Sequence, residues 1–152
     1  MKPIFLVYTF QDAEHLRELV DALSPHEVIV HVDAKVELSA FRRAVAGRSN
    51  VRMIEDRVQV NWGGYSQVRA IRKLVERGLE FADDDDYLIL LSGSDYPLRA
   101  MGELIAQLVD HPGRQYLRAF EISKSEQKYR SQIDRRHHRD LRLLSTRTNN
   151  RV

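Results

Sequence analysis

Apolar positions along this chain alternate between unbroken runs and a three-to-four-residue spacing. Residues 4–10 (IFLVYTF) are apolar, aromatic and β-branched, which predicts a buried strand. Gln11 and Asp12 mark a turn, with Asp12 placed to cap a helix whose apolar face is Leu16, Leu19, Val20 and Leu23. Ser24-Pro25 ends that helix, because the residue before a proline is pushed out of the helical region. A second strand follows at 27–33 (EVIVHVD), then a short helix at 38–46 closed by Gly47, then a third strand at 51–54. After the turn-rich stretch 60–66 (VNWGGYS), helical spacing returns with Val68, Ile71, Leu74, Val75 and Leu79. A strand at 87–91, a helix carrying Met101, Leu104, Ile105 and Leu108, and a last strand at 115–122 complete the order. Strands alternating with helices predict an α/β fold with a mostly parallel sheet flanked by helices. Beyond Ser123 the periodicity fades. The reading is therefore a packed body at 1–122 and a basic extended segment at 123–152.

Composition sharpens this picture. At 43% apolar and 30% charged, the 152 residues suit one globular domain or a piece of a larger protein. No apolar run approaches the ~20 residues of a membrane span, and Met1-Lys2-Pro3 leads into a strand rather than a secretory signal. The absence of cysteine removes disulfide, zinc–thiolate and thiol-nucleophile chemistry and suits a reducing cytosol. The net charge of +2 conceals an asymmetry: from Gly113 onward there are 11 Lys and Arg against 4 Asp and Glu, and before it 13 against 18. A basic segment behind an acidic body fits nucleic acid, a membrane surface or a phosphate-bearing ligand. Nucleic acid is disfavoured, since the body is acidic and residues 123–152 offer one aromatic, Tyr129, for stacking.

A ligand of such a fold is expected in the crevice at the carboxyl ends of the strands. Four tips fall there: Tyr8-Thr9-Phe10, His31-Val32-Asp33, the Trp62-Gly63-Gly64 turn, and residues 92–95. Asp33 could accept hydrogen bonds from ribose hydroxyls, or serve as a turn residue. His31 reads first as a satisfied core histidine. Trp62 is either an aromatic face beside a backbone freed by glycines or a core tryptophan at a bend. The acidic run 83–86 precedes its strand, so it belongs to the opposite sheet edge and reads as a solvated loop rather than a metal site. Ser92-Gly93-Ser94-Asp95 stands at the ligand edge but brings one carboxylate, fewer than a hard cation draws, and Asp95 could instead cap the next helix. Adjacent His137 and His138 face apart and suit solvent. There is no GxxxxGK[ST], GxGxxG, HExxH or GxSxG.

Three segments taken together, HVDAK (31–35), VNWGGYS (60–66) and YLILLSGSDYPL (87–98), resemble the core-2/I-branching β-1,6-N-acetylglucosaminyltransferase family, which includes the peptide O-xylosyltransferases. The resemblance covers about residues 3–122. It implies a GT-A-like fold, seen here as the donor-binding half, and an inverting transfer of a sugar from a UDP donor in a single displacement. N-acetylglucosamine is the expected sugar ahead of xylose, with a glycan, polysaccharide or glycolipid hydroxyl as acceptor. By motif, Val7 and Asp33 would hold the uridine, Trp62, Gly63 and Gly64 would line the nucleotide-sugar pocket, and Ser94 and Asp95 occupy the place of the metal-binding acidic pair of other GT-A enzymes. This chain lacks that pair, as branching enzymes do, so no metal or other cofactor is expected; basic side chains serve the diphosphate instead. Glu121 resembles an acceptor-binding carboxylate, and Lys128 and Arg130 fall near acceptor-contacting bases, with solvated charges as the plainer reading. The family's general base and leaving-group cations lie in a second half, so no catalytic residue is assigned here. Lacking the membrane anchor and cysteines of animal members, the chain suits a bacterial, cytoplasmic protein, at most peripheral to the inner membrane face. The alternative is a non-catalytic UDP-sugar-binding module or inactive fragment.

Overall fold

The structure is a computed structural model that describes residues 1–118, 139 and 140. The first apolar run forms β1, Pro3–Thr9, with six of its seven residues buried. Helix α1, Ala13–Ala22, starts at Asp12, which adopts the left-handed conformation (φ 56°) and accepts the His15 amide at 2.9 Å. Aspartate tolerates that conformation and satisfies an otherwise orphaned amide. Strand β2, Val28–Val32, is buried throughout. The chain continues through α2 (Ser39–Ala44), β3 (Val51–Met53), α3 (Tyr65–Leu79), β4 (Tyr87–Ser92) and α4 (Met101–Asp110). The four strands lie in the order β3-β2-β1-β4, and each pairing is parallel. Val7 stands opposite Val30 on one side and Leu91 on the other.

Alternation along the strands divides the core between two sheet faces. Phe5, Val7, Val28, Val30 and Val32 meet the apolar stripe of α1 and Phe41 of α2, with Met101 and Leu104 of α4 at the margin. Ile4, Leu6 and Ile29 meet Leu74 of α3 on the other face. Helices therefore cover both faces of a parallel sheet, the layered α/β arrangement that the sequence predicts.

Two local arrangements differ from the sequence reading. Helix α3 buries Ser66, Ala70, Leu74 and Gly78, while Val68 and Leu79 are exposed. Small side chains at three of these four positions let the helix sit close to the sheet: a Cβ on Gly78 would lie 2.8 Å from the Leu6 Cδ2 atom. Within the acidic run, Asp83, Asp84 and Asp85 are solvated, but the Asp86 carboxylate is almost fully covered and accepts the amides of Lys2 at 2.7 Å and Asp83 at 2.9 Å. It ties the amino-terminal edge of the sheet together, away from the strand tips. Residues 115–118 have no regular structure, and 119–122 of the expected last strand lie outside the described residues.

Candidate functional site

The connections from β1 and β2 run toward β3, whereas β4 lies on the far side of β1. Loops leaving the carboxyl ends of β1 and β4 therefore diverge, and a crevice opens at that switch in direction. It is a cleft of about 320 Å³, the lower end of the range for small-molecule sites. Tyr8, Thr9 and Phe10 line it from β1, His31 and Asp33 from β2, and Ser92 from β4; Lys35, Val60, Trp62 and Gln67 complete it.

The floor is set by close approach of two strand ends. The Gly93 amide donates to the Tyr8 carbonyl at 2.8 Å. A Cβ on Gly93 would stand 2.3 Å from Thr9 Oγ1, so glycine is what lets β4 turn away directly over β1. His31 is buried, and its Nε2 accepts the Val58 amide at 3.0 Å. Burial, above all, holds its pKa below the ordinary imidazole value, and the neutral ring carries its proton on Nδ1. The core-histidine reading of His31 thus fits its geometry, though one edge of the ring reaches the cleft.

Asp33 is also buried, at 6% exposure. Its Oδ1 accepts the Lys35 amide at 2.9 Å and the Val60 amide at 3.2 Å, so the carboxylate organises the turn after β2 and tethers the 58–60 stretch to it. Oδ2 lies 3.6 Å from Lys35 Nζ, which also donates to the Val60 carbonyl. Arg57 holds the same corner from behind by donating to the Asp33 carbonyl at 3.1 Å and the Val36 carbonyl at 3.0 Å. A carboxylate and an ammonium side by side at a strand tip suit a ligand with both hydroxyl donors and anionic groups.

Trp62 is 79% exposed, so it is not a core tryptophan at a bend. It sits on the turn into α3, where Gly63 adopts φ 70° and Gly64 serves as the helix N-cap. Gln67, three residues after that cap, turns back to accept the Gly63 amide at 3.2 Å. The turn is further gripped from far along the chain. Asp140 accepts from the Ser66 amide at 2.9 Å, the Ser66 hydroxyl at 2.5 Å and the Asn61 side-chain amide at 3.1 Å. The Arg139 guanidinium lies 5.3 Å from the Trp62 ring centre and donates to the Trp62 carbonyl at 3.2 Å. The Ser66 hydroxyl, first among several donors, holds the Asp140 carboxyl below its ordinary pKa.

Of the residues singled out in the sequence, Asp33 and Trp62 line the cleft, and Gly63 and Gly64 shape its rim. Val7 lies fully buried in the core beneath the strand tips. Asp95 accepts the Ser92 amide at 2.6 Å, and the Ser94 amide donates to Ser92 Oγ at 3.2 Å, so both are engaged in the turn after β4. Glu121, Lys128, Arg130, His137 and His138 lie outside the described residues. Lys35, Gln67, Arg139 and Asp140 were not singled out. For Gln67 the signal was its place three residues after a helix cap; for Lys35 it was its place in HVDAK.

A parallel sheet flanked by helices, with a polar and aromatic cleft at its carboxyl edge, places the chain among α/β proteins of the GT-A-like type. Residues 4–151 match the Core-2/I-Branching enzyme family, and the chain belongs to that family. It is also similar to "Xylosyltransferase oxt" of Drosophila melanogaster, with 28% identity over 96 residues, covering 61% of this chain. The chain spans 11% of the length of that relative.

Proposed function

We propose that the cleft is the UDP-sugar site of an inverting glycosyltransferase. The observation that carries this reading is the convergence of Asp33 and Trp62 on one cleft at the switch point of the sheet, in a chain of this family. In this reading Asp33 receives hydrogen bonds from the nucleoside, the exposed face of Trp62 packs on the donor, and Lys35 offsets the carboxylate charge beside an anionic ligand. Transfer goes to a hydroxyl of a glycan, polysaccharide or glycolipid, with a general base from outside the described residues. N-acetylglucosamine is the first donor sugar to test. Xylose is the second, favoured by the name of the Drosophila relative. Donor binding is proposed to be independent of metal, because the Asp95 carboxylate already accepts the Ser92 amide and, among the described residues, no group of three or more acidic or histidine side chains is placed to hold a metal ion.

Ligand-observed NMR with UDP, UDP-N-acetylglucosamine, UDP-xylose and ATP, with and without manganese, tests this directly. Binding of the uridine compounds but not ATP, without manganese, is the expected result. It should weaken in Asp33→Ala and in Trp62→Ala; the second variant alters an exposed side chain and leaves the Asp33 turn intact. A folded chain that binds no uridine compound, or binds ATP equally well, overturns the proposal.

A further inference from the structure

Arg139 and Asp140 stand more than seventy residues from the turn they touch, in a stretch whose sequence reads as a basic segment apart from the body. Their contacts nevertheless fall on one short part of the cleft wall. Asp140 bridges the two ends of the 61–66 turn, meeting Asn61 at one and Ser66 at the other. The Ser66 hydroxyl meanwhile accepts the Asn61 amide at 2.8 Å, so carboxylate, hydroxyl and amide form a continuous chain of hydrogen bonds across the turn. Because the Ser66 amide is one of the unpaired donors at the start of α3, Asp140 also caps that helix from a distant part of the sequence. Its approach requires a glycine: a Cβ on Gly64 would stand 2.6 Å from Asp140 Oδ1. Arg139 covers the back of Trp62 and holds its carbonyl.

We infer that Asp140 and Arg139 are positioning residues for the cleft, clamping the 61–66 turn so that Trp62 is presented at its wall in a fixed pose. They act through Trp62 rather than on the ligand. The inference rests on the reading of the cleft as the donor site, but the clamp itself can be measured without a ligand.

Trp62 is the one tryptophan of the chain, so its emission reports this turn alone. Steady-state fluorescence anisotropy and near-UV circular dichroism of the free protein would be compared with UDP affinity for wild type, Asp140→Ala, Asp140→Asn, Arg139→Ala and Gly64→Ala. Gly64→Ala attacks the same contact from the other side: Gly64 has φ −91°, a conformation alanine accepts, and its added methyl displaces the carboxylate while also pressing on the Asn61 carbonyl at 3.0 Å, so Asp140→Ala is the cleaner of the two. Loss of charge-assisted hydrogen bonds should roughly halve the near-UV signal of Trp62 and lower its anisotropy in Asp140→Ala and Gly64→Ala, and weaken UDP binding about 10-fold. Asp140→Asn, which keeps one acceptor oxygen, should recover part of both effects. Arg139→Ala should change the Trp62 signal with a smaller effect on affinity. Unaltered Trp62 anisotropy and near-UV signal in both Asp140→Ala and Gly64→Ala overturn the clamp, and so does unaltered UDP affinity when Trp62 is loosened. A wild-type chain that binds no UDP overturns the donor reading, while the anisotropy and near-UV series still decides the clamp.

Discussion

Replacing Gly93 by alanine puts the contact between β1 and β4 to a quantitative test. The added Cβ would lie 2.3 Å from Thr9 Oγ1, 2.4 Å from Thr9 Cβ and 3.2 Å from Thr9 Cα. Carbon atoms rest at about 3.5–4.0 Å, so the two strand ends must part by roughly 1 Å. Thr9 Cβ is anchored to the backbone, so no rotation of its side chain removes the overlap. The hydrogen bond from the Gly93 amide to the Tyr8 carbonyl, now 2.8 Å, would stretch beyond useful length. Overpacking costs about 1–3 kcal/mol and the lost hydrogen bond about 1 kcal/mol, together about 2–4 kcal/mol. For a chain of this size that corresponds to a fall in Tm of roughly 5–15 °C. Thermal melts followed by circular dichroism would measure it, with Thr9→Gly alone and the Thr9→Gly/Gly93→Ala double variant closing a cycle. The double variant should recover most of the Gly93→Ala loss, because it removes the atoms in conflict. A Gly93→Ala protein melting within about 1 °C of wild type would refute the close approach itself.

Gly78→Ala sets helix propensity against packing: alanine gains about 1 kcal/mol in a helix, but its Cβ meets Leu6 Cδ2 at 2.8 Å and Leu88 Cδ2 at 3.2 Å. We expect a net loss of about 1 kcal/mol by urea denaturation, and a stabilised variant would contradict the tight seating of α3. Burial holds the His31 pKa below its ordinary value, so the unfolded chain takes up a proton near pH 6.5 while the folded one does not. The stability His31 contributes is therefore complete above pH 6.5 and falls as the pH drops toward the folded-state value. Denaturation at pH 7.5 and pH 5, about 1 unit above and about 1.5 units below the unfolded-chain value, should show a steeper decline for wild type than for His31→Gln, and equal declines would contradict this. At Asp86, burial opposes ionisation but the Asp83 and Lys2 amides outweigh it and lower the pKa. Asp86→Asn, which retains one acceptor, should cost about 1 kcal/mol at neutral pH and progressively less as acid protonates the native carboxyl, and a constant difference down to pH about 3 would count against the bond.

What the sequence revealed follows from how far each signal reaches along the chain. Strands β1 and β2 and helix α1 with its Asp12 cap are written in contiguous apolar patterns and local hydrogen bonds, so their type and order were legible. The buried face of α3 was legible only in part: Leu74 and Val75 pack on the core as their spacing predicts, whereas Ser66, Ala70 and Gly78 carry little hydrophobicity and are buried for their small size. Asp33 and Trp62 stood out through motif and position, and both line the cleft. Asp140 gave no local sign, since a single exposed-looking carboxylate in a basic stretch has the same appearance whether or not a distant helix start awaits it. Lys35 carried a signal in its place within HVDAK, but its role is set only when β2 and the 58–60 stretch are brought together.

The placement of β1 has a consequence for how the chain acquires its shape. As the first of the four strands to be synthesised, it has neighbours that arrive at very different times. Val28–Val32 can pair with it once one short helix has formed, but its other edge meets Tyr87–Ser92 only after most of the described chain has been made. Until then the backbone of Ile4, Leu6 and Tyr8 on that side is an open, apolar strand edge, the kind that invites pairing between molecules. The nascent protein is thus most prone to self-association in the interval before residue 92 is available, and the arrival of β4 both closes that edge and, through Gly93, opens the cleft.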